Sequence, residues 1–344
     1  MNGRSVILDE LKGRKAAALM VDGRLDDFLI DPADDQPGPG AIYRAQVDRQ
    51  MKGQGGVFLT LPGGGSAFLR QAKGLAPGQA LLVQVTGYSE PGKAVPVTTR
   101  VLFKSRYAII TPDAPGLNIS RSIRDDDLRD HLMELAHDGM DAAPETLGLI
   151  LRSACATGDA DEIAEDIAAM RELAEQVLAD VTGGPELLVD APDAHELAWR
   201  DWADPAPDEV VEGFEDHGVL DALAMLGGAV PLVGGGTVWV EATRALVAVD
   251  VNTGGDSSPA AGLKANIATA RDLPRLLRIL GLGGQIVIDF APMPKKDRRQ
   301  LEQTLKAALR ADPVDTVLAG WTALGLFELQ RKRERLPVDR GIFG

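Results

Sequence analysis

"ALVAVDVNTGGD", residues 245–256, decides how this chain is read. It is an apolar, strand-like run with Asp250 set inside it and Asn252 and a glycine turn following. A carboxylate in a buried strand costs several kcal/mol unless a partner or a cation meets it. The oddity recurs at "GGQIVIDFAPM", 283–293, where Asp289 ends a Val/Ile-rich run. The intervening residues 260–281 read as a helix. Two strands joined by a crossover helix are often adjacent and parallel, which places both carboxylates at the same strand ends. Strand ends are where α/β sheets build their sites. Two carboxylates sharing such a place repel, and a Mg²⁺ ion relieves that while leaving positions for water and a phosphate. The chemistry this suits is metal-assisted phosphodiester hydrolysis. The plainer reading is that Asp250 caps the "NTGG" turn and Asp289 the "PMPKK" turn. Asn252, on the same strand face as Asp250, either holds one carboxylate or a metal-bound water, or forms the turn.

Outward from this pair, the 344 residues carry a net charge of −15, which on its face argues against a polyanionic ligand. The average conceals a division. Residues 121–220 hold 27 acids against 6 bases, whereas 38–112 hold 2 acids against 9 bases. A localised anionic ligand is therefore compatible with the composition. A single cysteine, Cys155, excludes an internal disulfide and any paired-cysteine zinc site within one chain. No apolar run reaches membrane-spanning length and the first residues lack a signal-peptide core, so the expected location is cytoplasmic.

Along the chain, residues 1–30 read as a hairpin turning at Asp22-Gly23, and "DPADDQPGPG", 31–40, as a linker. From Ala41 to Pro112 five short β-type runs separated by glycine turns fit a small closed barrel of OB type. The acidic stretch reads as an amphipathic helix, a strand "LGLILRSA", and a second helix whose Ile163, Ile167, Met170, Leu173 and Val177 share one face. A helix is expected near 206–226, then a hairpin around Ala242–Arg244, the helix 260–281, the strand of Asp289, a helix over 295–311, and a last strand or short helix in "ALGLFELQRKRERLP". Alternating strand and helix after 230 indicates an α/β layered unit.

"VPLVGGGTVWVEATRALVAVDVNTGGD" followed by "LGGQIVIDFAPM" resembles the catalytic core of the ribonuclease E/G family, endoribonucleases that cut single-stranded, A/U-rich RNA. The resemblance implies that Asp250 and Asp289 chelate a catalytic Mg²⁺ and that Asn252 supports the first. It implies an α/β fold with a discontinuous RNase H-like core over 1–35 and 205–280. An OB-type RNA-binding barrel over 38–101 and a 5′-phosphate sensor region over 102–203 are inserted into that core, and a DNase I-like subdomain over 281–340 follows it. Phe58 and Phe68 match two family phenylalanines that hold a base, a role an exposed aromatic can fill by stacking. Barrel core is the alternative for both. Lys93 matches a lysine near the cleaved phosphate. Arg152-Ser153 falls on an Arg-Thr pair that recognises a 5′-monophosphate, and Ser for Thr keeps the hydroxyl. Arg121 either contacts the RNA backbone or pairs with the acids of "RDDD". The basic runs "PKKDRR" and "QRKRERL" either track phosphates or form solvated helix faces.

The pattern departs from the family in three places. No cysteine follows Cys155, so no structural zinc is expected, nor the dimer that a paired-cysteine zinc link makes. Pro292 stands where the family often has an acidic residue, and the interval between the two aspartates is a few residues shorter. The expected function is a Mg²⁺-dependent endoribonuclease in RNA processing or decay, acting on single-stranded RNA and stimulated by a 5′-monophosphate, with protein partners unspecified. The alternatives are a catalytically inactive RNA-binding protein on the same fold and a metal-dependent phosphatase or nucleotide-binding protein.

Overall fold

The computed structural model describes residues 3–51, 55–90 and 92–338 of a mixed α/β protein. The chain opens with three antiparallel strands, β1 (Arg4–Leu11), β2 (Arg14–Val21) and β3 (Arg24–Ile30). Asp22 and Gly23 turn between β2 and β3 with φ of 50° and 75°, the two left-handed residues that a two-residue hairpin of this twist requires. Lys12 and Gly13 repeat the same turn between β1 and β2, at 53° and 74°, where lysine gives no turn signal.

Five strands follow: β4 (Ile42–Met51), β5 (Gly56–Thr60), β6 (Ser66–Leu69), β7 (Ala80–Val85) and β8 (Val95–Thr98). They pair in the order β4-β5-β6-β8-β7, and β7 returns to β4, closing the barrel expected from the glycine-spaced runs. Alternation along each strand turns Val47, Val57, Leu59, Ala67, Leu69, Val83 and Val85 into its interior. A four-stranded sheet comes next, from β9 (Phe103–Lys104), β10 (Ala108–Pro112), β11 (Gly116–Ile119) and β12 (Leu147–Leu151). It packs with α1 (Asp126–Met140) and α2 (Ala160–Ala179), whose first turns are capped by the side chains of Asp125 and Asp159. The strand β13 (Glu186–Val189) adds to the open side of β4, and α3 (Ala194–Asp201) starts with a capping box of Asp193 and Glu196. Buried Arg44 of β4 secures this addition by bonding the carboxylates of Asp180 and Glu186 and the carbonyl of Gly184.

The return of the chain begins with β14 (Glu209–Glu212), which pairs in parallel with β1. The helix expected near 206–226 is therefore reduced to α4 (Val219–Ala224). Long-range pairing with β1 claims 209–212, and Pro205 and Pro207 disfavour an earlier helix start. The remaining elements are β15 (Val230–Pro231), β16 (Thr237–Ala242), β17 (Val247–Asn252), α5 (Pro259–Ile279), β18 (Gly284–Asp289), α6 (Arg298–Ala311), β19 (Thr316–Trp321) and β20 (Phe327–Arg331). They form one sheet ordered β15-β16-β17-β18-β20-β19. The boundary expected at 280/281 thus runs between two hydrogen-bonded neighbours, β17 and β18.

The described residues divide into two compact units, those of Met1–Ala33 with Glu209–Gly344 and those of Asp34–Asp208. In the first, the inner face of the six-stranded sheet (Val238, Val240, Val247, Val249, Val251, Ile286, Ile288) packs on α5, α6 and the N-terminal strands. A buried ion network reinforces it: Asp312 accepts from Arg331 at 2.9 Å and from Arg278, while Asp27 accepts from Arg335 at 3.0 Å. The basic run "QRKRERL" lies at the end of β20 and in the residues after it, which corrects the solvated-helix-face alternative. Arg331 and Arg335 serve the fold, and Lys332 pairs with Asp315 at 2.6 Å and Glu334 at 3.3 Å. No described helix is long and apolar enough to cross a membrane.

Candidate active site and nucleic-acid interface

Parallel pairing of β17 with β18 sets Val247, Ala248, Val249 and Asp250 opposite Ile286, Val287, Ile288 and Asp289. The two aspartates are direct register partners at the same strand ends. Their surroundings correct the sequence reading in one respect: both are exposed. Each strand buries only alternate residues, so Val249 and Ile288 point into the core while Asp250 and Asp289 point to the open face of the sheet. Neither carboxylate bears a burial cost, and the position needs no compensation to be folded. The turn-capping alternative also falls. The side chain of Asp250 accepts from Asn252 Nδ2 at 2.6 Å, and the cap of the following turn comes instead from Asp256, which accepts from the Ser258 amide at 2.8 Å. Among the described residues the side chain of Asp289 has no hydrogen bond or ion pair.

Two residues that the sequence reading missed hold this strand end in place. Asn266 of α5, fully buried, donates through Nδ2 to the Ala291 carbonyl at 2.8 Å and accepts the Ala291 amide at 2.9 Å. The backbone two residues beyond Asp289 is thereby locked to the helix. A Cβ on Gly262, one turn earlier, would lie 2.3 Å from the Pro292 carbonyl, so glycine is what lets the loop approach. The only signal for either was a polar residue and a glycine inside an otherwise amphipathic helix. After the loop, Lys295, Lys296 and Arg299 are exposed, while Arg298 covers the Trp321 ring at 4.0 Å. Among the described residues no group of three or more His, Cys, Asp or Glu side chains is placed to hold a metal.

In the other unit, Phe58 and Phe68 are register partners on β5 and β6 with ring centroids 5.1 Å apart. Both are half-buried and lie on the outside of the barrel, since Val57, Leu59, Ala67 and Leu69 fill its interior. The core alternative for these phenylalanines does not hold. Gly56 seats the Phe68 ring, whose Cζ would be 2.3 Å from a Cβ there, and the Arg49 guanidinium stands 5.0 Å from the Phe58 centroid. Lys93 is exposed but paired with Glu90 at 2.5 Å. Arg121 is exposed and makes no ion pair among the described residues, so the alternative of pairing with "RDDD" is not what forms.

Arg152 is half-buried at the end of β12 and engaged throughout. Its guanidinium donates to the carbonyls of Ser105 at 2.5 Å and Arg200 at 3.0 Å and to the carboxylate of Asp201 at 2.8 Å. Ser153 begins the short turn that follows. Asp201 also receives Arg200 and Lys104, each at 2.8 Å. Burial would raise the Asp201 carboxyl, but the hydrogen bond and charge of Arg200, with Lys104, outweigh it and hold the group well below the usual carboxylate range. Burial lowers Lys104, reinforced by the Arg200 and Arg152 charges and opposed by Asp201. Three cations thus converge on one carboxylate. Nearby, burial pushes the Cys155 thiol up to about 12, making it inert packing.

A family model described as the ribonuclease E/G family matches residues 103–223 and 214–334. The chain belongs to the ribonuclease E/G family. Ribonuclease G of Salmonella typhimurium (strain SL1344) is 26% identical over 87% of this chain and 74% of its own length. Ribonuclease G of Escherichia coli (strain K12) gives the same values. Ribonuclease E of Nostoc sp. (strain PCC 7120) is 27% identical over 76% of this chain and 44% of its own length. Ribonuclease E/G membership covers both units, because the matched residues include the sheet of the aspartates and the strands and helices around Arg152.

Proposed function

We propose that the chain is a Mg²⁺-dependent endoribonuclease that cuts single-stranded, A/U-rich RNA in RNA processing or decay. The observation that carries this reading is the in-register placement of Asp250 and Asp289 on the open face of the sheet. Two hard oxygen donors in solvent suit an ion that keeps most of its sites for water and phosphate. When bound there, Mg²⁺ would polarise the scissile phosphate and offset its developing charge. Asp250 and Asp289 would hold it, and Asn252 would orient Asp250 through the bond at 2.6 Å. Asn266 and Gly262 act earlier in the chain of cause, fixing the backbone just past Asp289.

On the other unit, the half-buried ring pair of Phe58 and Phe68 on the outside of the barrel would stack bases, and Lys93 and Arg121 would meet phosphates. Lys93 must first exchange Glu90 for RNA. Stimulation by a 5′-monophosphate would likewise be an exchange, with the phosphate taking the place of Asp201 on Arg152 and the Ser153 hydroxyl adding a bond. The RNase H-like and DNase I-like names for the first unit belong to the same proposal. Membership of the ribonuclease E/G family supports it, as does the basic composition of the barrel segment. The test is cleavage of a 5′-monophosphorylated, A/U-rich oligoribonucleotide across a Mg²⁺ titration. Internal cuts that appear with Mg²⁺ and stop on chelation support the reading, and cutting that is indifferent to chelation contradicts the metal's part in it.

A further inference from the structure

We propose that Trp239 is a base-stacking platform beside the Asp250–Asp289 pair, taking the nucleobase that flanks the scissile phosphate. The inference rests on the ribonuclease reading of that pair and adds a residue to it. Trp239 of β16 pairs directly with Asp250, as Asp250 pairs with Asp289, so the three form one row across three neighbouring strands. Neighbouring strands lie about 4.8 Å apart, which sets the indole one strand spacing from the first carboxylate. Val238 and Val240 on either side of it are buried in the core, so alternation puts the indole on the carboxylate face, where it is 37% exposed.

Its neighbours on β16 and β17 are small or polar. Across the strand are Ala248, Asp250 and Asn252, and along it are Thr237 and Glu241. The other tryptophans are occupied: Trp321 meets Phe327 edge-on and donates to Glu302, Trp199 lies under Arg106, and Trp202 is buried. Among the described residues Trp239 alone of the four is exposed with neither a ring nor a cation against it. A single indole with Asp250, Asn252 and Glu241 among its neighbours is not the large apolar patch that marks a protein interface. It does fit a base, which offers a flat π-face to the indole and N–H donors to the surrounding oxygens. Stacking on an exposed aromatic is also tolerant of sequence, in keeping with a nuclease for single strands.

The test measures cleavage of a single-stranded oligoribonucleotide by the full chain and by Trp239→Ala and Trp239→Phe. It uses substrates that are intact or abasic at either nucleotide bordering the cut. Trp239→Ala is expected to raise KM roughly 5- to 150-fold, and Trp239→Phe to recover most of that. One abasic substitution should weaken the wild type by a similar factor and leave Trp239→Ala nearly unaffected. Binding of the intact oligonucleotide in chelator should quench tryptophan emission in the wild type and much less in Trp239→Phe. Equal cleavage by wild type and Trp239→Ala, or equal loss from each abasic site in both, overturns the stacking role while leaving the ribonuclease reading intact. Absence of both cutting and RNA binding in the wild type overturns the two readings together.

Discussion

The open face that carries Asp250 and Asp289 and the cluster around Arg152 are the two charged sites that the sequence singles out, and they are built in opposite ways. The side chain of Asp250 has one hydrogen-bond partner among the described residues, Asn252, and both aspartates stand in solvent. Arg152 spends its donors on carbonyls and on Asp201, beside the half-buried Arg200 and the exposed Lys104. The first site gives nothing to the fold and is open to a ligand. The second is part of the fold, and a ligand reaches its arginine only by displacing a carboxylate. A sequence that resembles a phosphate-recognition motif can therefore have its arginine already satisfied within the fold.

The largest effect on stability expected from this contrast is at Arg152. Arg152→Ala strands carbonyls and removes one partner of Asp201, which should cost about 3 kcal/mol, read from urea unfolding of the chain. A loss under about 0.5 kcal/mol, typical of a free surface residue, would erase the contrast. Asn266→Ala should cost about 2 kcal/mol by leaving the buried Ala291 amide and carbonyl unpaired. It should also lower cleavage more than its stability loss explains, because the strand end moves.

The pH dependence sharpens the second site. Asp201 faces Arg152, Arg200 and Lys104, and its folded pKa is depressed. Its contribution is fully present above the unfolded value of about 4 and is lost as pH falls from there toward the folded value. Acid titration of wild type against Asp201→Asn should show a shallower acid limb in the variant, and identical limbs would contradict the assignment. Asp201→Asn should also enlarge the ratio of cleavage of 5′-phosphorylated over 5′-hydroxyl RNA, since a neutral amide yields Arg152 more readily. The smallest effect is at the first site: Asp250→Asn and Asp289→Asn should each change stability by less than about 0.5 kcal/mol.

Much of this was legible in the sequence for local reasons. Period-two valines and isoleucines marked β17 and β18, glycine spacing marked the barrel, and the helix between the aspartates implied their parallel pairing. What escaped was set by distant partners. β14 is claimed by β1 from the far end of the chain, and β13 joins the barrel through Arg44. The same non-locality hid Asp201 from a reading of Arg152, because 49 residues separate them. The premise that Asp250 is buried failed because a valine-rich strand reads alike whether one face or both are covered. Trp239 passed as one more apolar strand residue, and only the register with Asp250 gives it significance.

The central claim is that the open carboxylate pair does the chemistry while contributing little to folding or RNA affinity. It is tested most directly by single-turnover cleavage of a 5′-monophosphorylated, A/U-rich oligoribonucleotide in Mg²⁺, comparing wild type with Asp250→Asn and Asp289→Asn, with RNA affinity and thermal stability measured on the same samples. The account predicts internal cuts by the wild type and a loss of at least about 100-fold in both variants, with affinity and stability retained. Cleavage that survives in either variant, or a wild type that binds the RNA under varied metals without cutting it, would contradict it.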